Sequence, residues 1–213
     1  WLGRDRYSII WLVSQMNLKI KKALLLLVLV ISIPAYAISI EPKDFIQLTV
    51  NKASDILSEK ITNEQKIEKL KSIAKENVDV KGIGFYTLGK YRKNLTEKQK
   101  IIYSNLFEQY FLKSFSSRLV EYTDPQINVE SQEVLNKNYT IVNSTLKGTD
   151  TRPEIKIDWR VYTKIPERPL IRDLIIEGLS LARTQKEEFS SIINSNDGNI
   201  EALFKTLKEF SEN

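Results

Sequence analysis

Residues 154–163, Glu-Ile-Lys-Ile-Asp-Trp-Arg-Val-Tyr-Thr, set Ile155, Ile157, Trp159 and Val161 in strict alternation with Glu154, Lys156, Asp158 and Arg160. Side chains of a strand point alternately to its two faces, so this stretch has one buried face and one wet face, with Asp158 on the wet side. Working outward, comparable extended runs occupy residues 127–133, 139–147 and 170–177. The segments between them are short: Asn136-Lys137-Asn138, Gly148-Thr149-Asp150 and Pro166-Glu167-Arg168-Pro169. Parallel neighbours would need long crossovers, so the four strands are expected to form an antiparallel meander.

Residues 42–122 read as helix. Phe45, Leu48, Ala53, Ile56 and Leu57 make an apolar stripe, and Thr62 with Gln65 has the capping-box spacing that opens a second helix through Ile67, Leu70, Ile73 and Ala74. A short glycine-punctuated segment, residues 80–89, precedes another such box at Thr96 and Gln99, which starts the longest helix, running to about Tyr122. Two helices close the chain, residues 180–194 and 199–210, the last amphipathic through Ile200, Leu203, Phe204, Leu207 and Phe210. Helices segregated against one sheet give an α+β domain, with a four-stranded antiparallel sheet packed against several helices.

Residues 16–37, MNLKIKKALLLLVLVISIPAYA, have the order of a secretory signal peptide: a basic start, an apolar run from Ala23 to Ile33, then Pro34 and Ala35-Tyr36-Ala37. Cleavage after Ala37 is expected, with residues 1–15 as spurious upstream sequence and residues 38–213 as one domain. The apolar run is half the roughly 20 residues that a membrane span needs. The chain has no Cys, hence no site for lipid attachment at the cleavage point, and a soluble secreted product is expected. The formal charge of +5 is mostly leader, since residues 1–37 hold five Lys or Arg and a single acidic residue. What remains is close to neutral and interspersed, unlike the basic face of a nucleic-acid binder. With no His or Cys, imidazole and thiolate metal sites and cysteine nucleophiles are excluded, and no metal or cofactor is expected.

Tyr103, Phe107, Phe111 and Phe115 recur at four-residue steps along the longest helix, with Leu106, Tyr110, Leu112, Leu119 and Tyr122 beside them. So wide an apolar surface fits a core helix with neighbours on two sides, or a helix with one flank lining a cavity for an apolar ligand. Asp158, Asp173 and Glu177 are the carboxylates on strands, but no histidine can partner them, and solvated or ion-paired roles suffice. Lys90, Arg92, Lys93, Lys98 and Lys100 form a basic cluster suited to solvent, anionic headgroups or an acidic partner.

Phe85-x-x-Leu88-Gly89-x-Tyr91, Thr96-x-x-Gln99, the aromatic helix and above all Asp173-Leu-Ile-Ile-Glu177-Gly178-Leu179-Ser180 together resemble the MlaC family of periplasmic phospholipid carriers, also called toluene-tolerance auxiliary proteins. Gln185-Lys-Glu-Glu-Phe189 and Gly198-Asn-Ile-Glu-Ala-Leu203 extend the likeness, which covers about residues 42–210. The resemblance implies an apolar lipid cavity between sheet and helices. Its expected lining is Phe107, Phe111 and Phe115, then Val142 and Leu146, Ile155, Ile157, Trp159 and Val161, Leu174 and Ile176, with Leu179 at the strand-to-helix corner and Gly178 permitting the turn there. It further implies a monomeric, non-enzymatic shuttle that takes phospholipid between an outer-membrane lipoprotein complex and an inner-membrane ABC transporter of the Mla type, maintaining outer-membrane lipid asymmetry. The alternatives are an isomerase-like enzyme with Asp173 or Glu177 as base, and an envelope adaptor that binds only protein. N-terminal sequencing of the secreted product is expected to begin at Ile38; a start well upstream would overturn the cleavage assignment.

Overall fold

Pro42 sits in the first turn of α1 (Pro42–Ser58), where its missing N–H costs nothing and its fixed φ suits the helix. This computed structural model describes residues 39–150 and 152–212; the expected leader and upstream segment lie outside them. Both capping boxes form. Thr62 Oγ1 accepts the Gln65 N–H while Gln65 Oε1 accepts the Thr62 N–H, opening α2 (Asn63–Asn77).

The stretch 80–89 is more ordered than its glycines suggest. It forms α3 (Val80–Thr87), followed by a 3-10 turn (Gly89–Lys93). Asp79 caps α3 by accepting the Gly82 N–H at 2.9 Å, and the glycines serve packing. A Cβ on Gly84 would stand 2.8 Å from the Phe107 ring, so only glycine lets α4 (Glu97–Leu119) approach. Thr96 and Gln99 supply the reciprocal box that opens α4. The Tyr103 hydroxyl donates to the Gly84 carbonyl at 3.0 Å, tying the two helices at the same point. Burial raises the Tyr103 pKa, which keeps the phenol neutral.

The sheet is an antiparallel meander in the order β1 (Ile127–Asn136), β2 (Tyr139–Leu146), β3 (Ile155–Tyr162), β4 (Leu170–Ile176), β5 (Leu179–Ser180). The expectation of four strands is therefore corrected to five. Glu177 and Gly178 both have positive φ, 48° and 81°, making a two-residue hairpin that folds Leu179 and Ser180 back onto β4. Two residues are too short for an alternation signal. The strand leads directly into α5 (Leu181–Asn194), then α6 (Ile200–Glu212). No helix among the described residues is long and apolar enough to cross a membrane.

The interior is divided. Ile83, Leu88, Tyr103, Phe107, Phe189, Ile193, Leu203 and Leu207 are part of a core among α3–α6, whereas Phe45, Ile46 and Val50 of α1 join Val129, Val142, Val161 and Ile171 of the sheet in another. Val78, between α2 and α3, packs against both. It also bridges Ile171 on the outer edge of β4. The adjacent Arg172 is an extra residue in β4, and this bulge turns its guanidinium toward Asp79, with Nε and Nη2 at 2.7 and 2.6 Å from Oδ2. Its Nη1 donates to the Tyr139 hydroxyl at 2.7 Å, and its plane lies over the Tyr162 ring. Burial opposes the Arg172 charge, but the hydrogen bonds to Tyr139 and Asp79 outweigh it and raise its pKa. The cap of α3 and the sheet are thus one ionic unit.

Replacing Gly84 by Ala removes a helix glycine, normally a gain of about 1 kcal/mol. Here the added methyl meets a buried ring, so denaturant unfolding is expected to show a loss of about 1–3 kcal/mol. A gain would refute the close packing.

Candidate functional site

Strand register gathers the expected residues. Leu146 lies opposite Ile155, and Val142 opposite Trp159, which faces Leu174. Ile157 lies opposite Ile176, which faces Leu179. Val161 faces Ile171. All nine candidate strand residues therefore occupy the same face of the sheet, because directly paired residues share a side. The helix α1 covers part of that face and seals Val142 and Val161 completely. Leu146, Ile155, Ile157, Trp159, Leu174 and Ile176 remain half-buried, and Leu179 is 58% exposed.

The aromatic residues of α4 form a graded ladder. Phe107 is buried in the helical core and meets Phe189 edge-on with centroids 6.2 Å apart. Phe111 stacks on Phe107 at 6.0 Å and on Phe115 at 5.8 Å, the last two planes only 6° apart. Phe111 and Phe115 are half-buried. On the neighbouring flank, Tyr110 donates to Gln185 Oε1 at 2.8 Å, and burial together with the Glu188 charge raises its pKa. The core reading of this helix thus applies to Phe107, while the rings toward its C-terminus are incompletely covered.

A residue not singled out from the sequence organises the apolar face. The Trp159 indole N–H donates to Ser144 Oγ at 2.8 Å, and that hydroxyl donates to the Ile157 carbonyl at 3.0 Å. The indole and this hydroxyl are thereby satisfied within the face. The available signal was position: Ser144 falls on the inward parity of β2, between Val142 and Leu146.

The carboxylates are occupied by structural contacts. Asp173 is 4% exposed; Oδ2 accepts from the Ser180 hydroxyl at 2.6 Å, Oδ1 from the Ala182 N–H at 3.0 Å, and Arg160 Nη1 stands 3.3 Å away. Ser180 Oγ accepts the Arg183 N–H in turn, capping α5. Glu177 Oε1 accepts the N–H of Lys156 on β3 at 2.6 Å, and Asp158 accepts from Asn143 at 2.8 Å on the opposite face of the sheet. Among the described residues no cluster of His, Cys, Asp or Glu is arranged to hold a metal.

The described residues do not display the expected apolar cavity between sheet and helices. Two concavities lie elsewhere. One, of about 780 Å³, is lined by polar residues of α5 and by Tyr86 of α3; the other, of about 440 Å³, lies between α3 and α4 around Phe85, Ile101 and Ser104.

The family model described as MlaC protein matches residues 47–209. Among solved structures, the phospholipid-binding protein from Ralstonia solanacearum, determined in complex with a phospholipid, is similar in fold with a TM-score of 0.68 and 17% sequence identity. The alignment covers 81% of this chain and 98% of that one.

In protein beginning at Ile38, Trp159 is the sole tryptophan and reports on this face. Ser144→Ala strands the indole N–H and is expected to cost about 1–2 kcal/mol, with a shift in Trp159 emission. Unchanged stability and emission would show that this bond is not made.

Proposed function

Because the chain belongs to the MlaC protein family, we propose that it is a soluble periplasmic phospholipid carrier, exchanging lipid between an outer-membrane lipoprotein complex and an inner-membrane ABC transporter of the Mla type. The observation that carries the reading is the single apolar sheet face that α1 covers only in part, with Leu146, Ile155, Ile157, Leu174 and Ile176 half-buried and without a charged side chain among them. Acyl chains complete what α1 leaves open, with the stacked Phe111 and Phe115 as the facing wall. Modest separation of the two cores opens room there for lipid tails. The headgroup stays outside, next to Leu179 and the Glu177-Gly178 turn.

The energetic requirement is clear. Burying a methylene is worth roughly 0.8 kcal/mol, so a chain of about 16 carbons is held in a bilayer by on the order of 12 kcal/mol. A carrier must return most of that in a dry environment. An apolar face whose indole and hydroxyl already satisfy each other meets this condition, since an unpaired polar group would add its own desolvation cost. No catalytic step is assigned. Each of Asp173's oxygens already has a donor, as a structural joint requires and a free general base does not.

Mass spectrometry of organic extracts from natively purified protein is expected to find stoichiometric phospholipid; its absence would count heavily against the carrier and toward an adaptor. Leu179→Glu is expected to abolish co-purifying lipid while leaving the fold intact, and retained lipid in the folded variant would remove Leu179 from the site. Asp173→Asn separates the enzyme alternative. It is expected to lower stability by about 3 kcal/mol through the loss of a buried ionic acceptor, whereas a catalytic base would be lost with little change in stability.

A further inference from the structure

The basic cluster at Lys90, Arg92 and Lys93 has no role in holding lipid tails, and the structure joins it to a second group of cations. Lys186 of α5 runs across Gly89, its Cε where a Cβ on that glycine would be only 2.9 Å away, and its ammonium lies 5.4 Å from the centroid of the Tyr86 ring. The Tyr91 hydroxyl donates to Asn194 Oδ1 and fixes the 3-10 turn against the same helix. Arg183 and Lys186 line a cleft of about 780 Å³ that contains a single carboxylate, Glu187, and the 3-10 turn that carries Lys90, Arg92 and Lys93 is held against the same helix by these two contacts. None of the five has an ion-pair partner among the described residues. Ser190, Ser191 and Ser195 also line the cleft.

We propose that this cleft is a docking surface for an anionic phospholipid bilayer, through which the protein rests on a membrane by contacts to headgroup phosphates. Phosphate oxygens are pure acceptors, and the cleft presents guanidinium, ammonium, hydroxyl and amide donors. A protein partner fits less well. A specific protein interface has an apolar, aromatic-rich centre, whereas here Tyr86 is the lone large apolar group in the lining, and an exposed tyrosine is also a side chain suited to the headgroup layer. Several cations on one patch give attraction that grows with anionic lipid content and fades as salt screens it. The proposal rests on the carrier reading for its purpose but not for its test.

Flotation of the purified protein with vesicles at low salt is the experiment. The wild type is expected to float with vesicles of phosphatidylglycerol mixed into phosphatidylcholine, to remain unbound with phosphatidylcholine alone, and to be released by 0.5 M salt, about fivefold beyond the ionic strength at which the screening length is roughly 10 Å. Arg183→Glu with Lys186→Glu is expected to reduce flotation at least tenfold, and Lys90→Glu with Arg92→Glu and Lys93→Glu, on the exposed 3-10 turn, supplies an independent variant with little bearing on packing. Lys205→Glu with Lys208→Glu, on α6, is expected to leave flotation unchanged. Equal binding to both vesicle types, no binding by the wild type, or undiminished binding by the folded cleft variants would overturn the proposal. Lipid content of the same samples keeps the two readings apart: lipid retained by protein that does not float defeats the docking surface alone, and protein that floats without bound lipid defeats the carrier alone.

Discussion

One helix cannot cover the apolar face of a five-stranded meander. The 17 residues of α1 seal Val142, Val161 and Ile171 with Phe45, Ile46 and Val50, and the same face continues past them through Leu146, Ile155, Ile157, Leu174 and Ile176. In a domain shaped only for stability, a second helix would lie on that remainder. Instead α4 belongs to a separate helical core, closed around Tyr103, Phe107 and Phe189, and its ring ladder emerges from that core half-covered. Division of the hydrophobic interior is the constraint on which the rest of the structure depends.

Two cores need joints, and beside the apolar one at Val78 two are ionic. Arg172 spans from the Asp79 cap of α3 to Tyr139 and Tyr162 on the sheet, while Asp173, the next residue, collects Ser180, the Ala182 amide and Arg160 where β5 passes into α5. Adjacent residues serve opposite ends of the joint because the bulge at Arg172 changes the side to which the chain points. Ionic joints hold direction at the edges without filling the space between the layers with apolar atoms.

Much of this was legible from residues. The alternation in 154–163 predicts the strand and its face, and the two capping boxes predict the starts of α2 and α4, since these are short-range rules that the local chain enforces. The glycine-punctuated stretch was not legible. Gly82 and Gly84 argue against helix by propensity, and what overrides them is the Asp79 cap at Gly82 and, at Gly84, a packing contact with Phe107, more than twenty residues away. β5 escaped for the opposite reason, being two residues long and fixed by a turn with Glu177 in the left-handed region. Of the candidate residues, the common face of the nine on strands follows from parity, whereas the sealing of Val142 and Val161 depends on where α1 lies.

The sequence by itself determined the α+β class, the antiparallel order, the identity of the apolar face and the absence of thiolate and imidazole chemistry, because periodicity, connection length and composition are properties of the chain alone. Only the tertiary structure decided how much of that face stays uncovered, that Ser144 satisfies Trp159, that Asp173 is a joint, and that Lys186 meets the 3-10 turn to unite two groups of cations. Each of these depends on distances between segments far apart in sequence, and no local pattern encodes a distance.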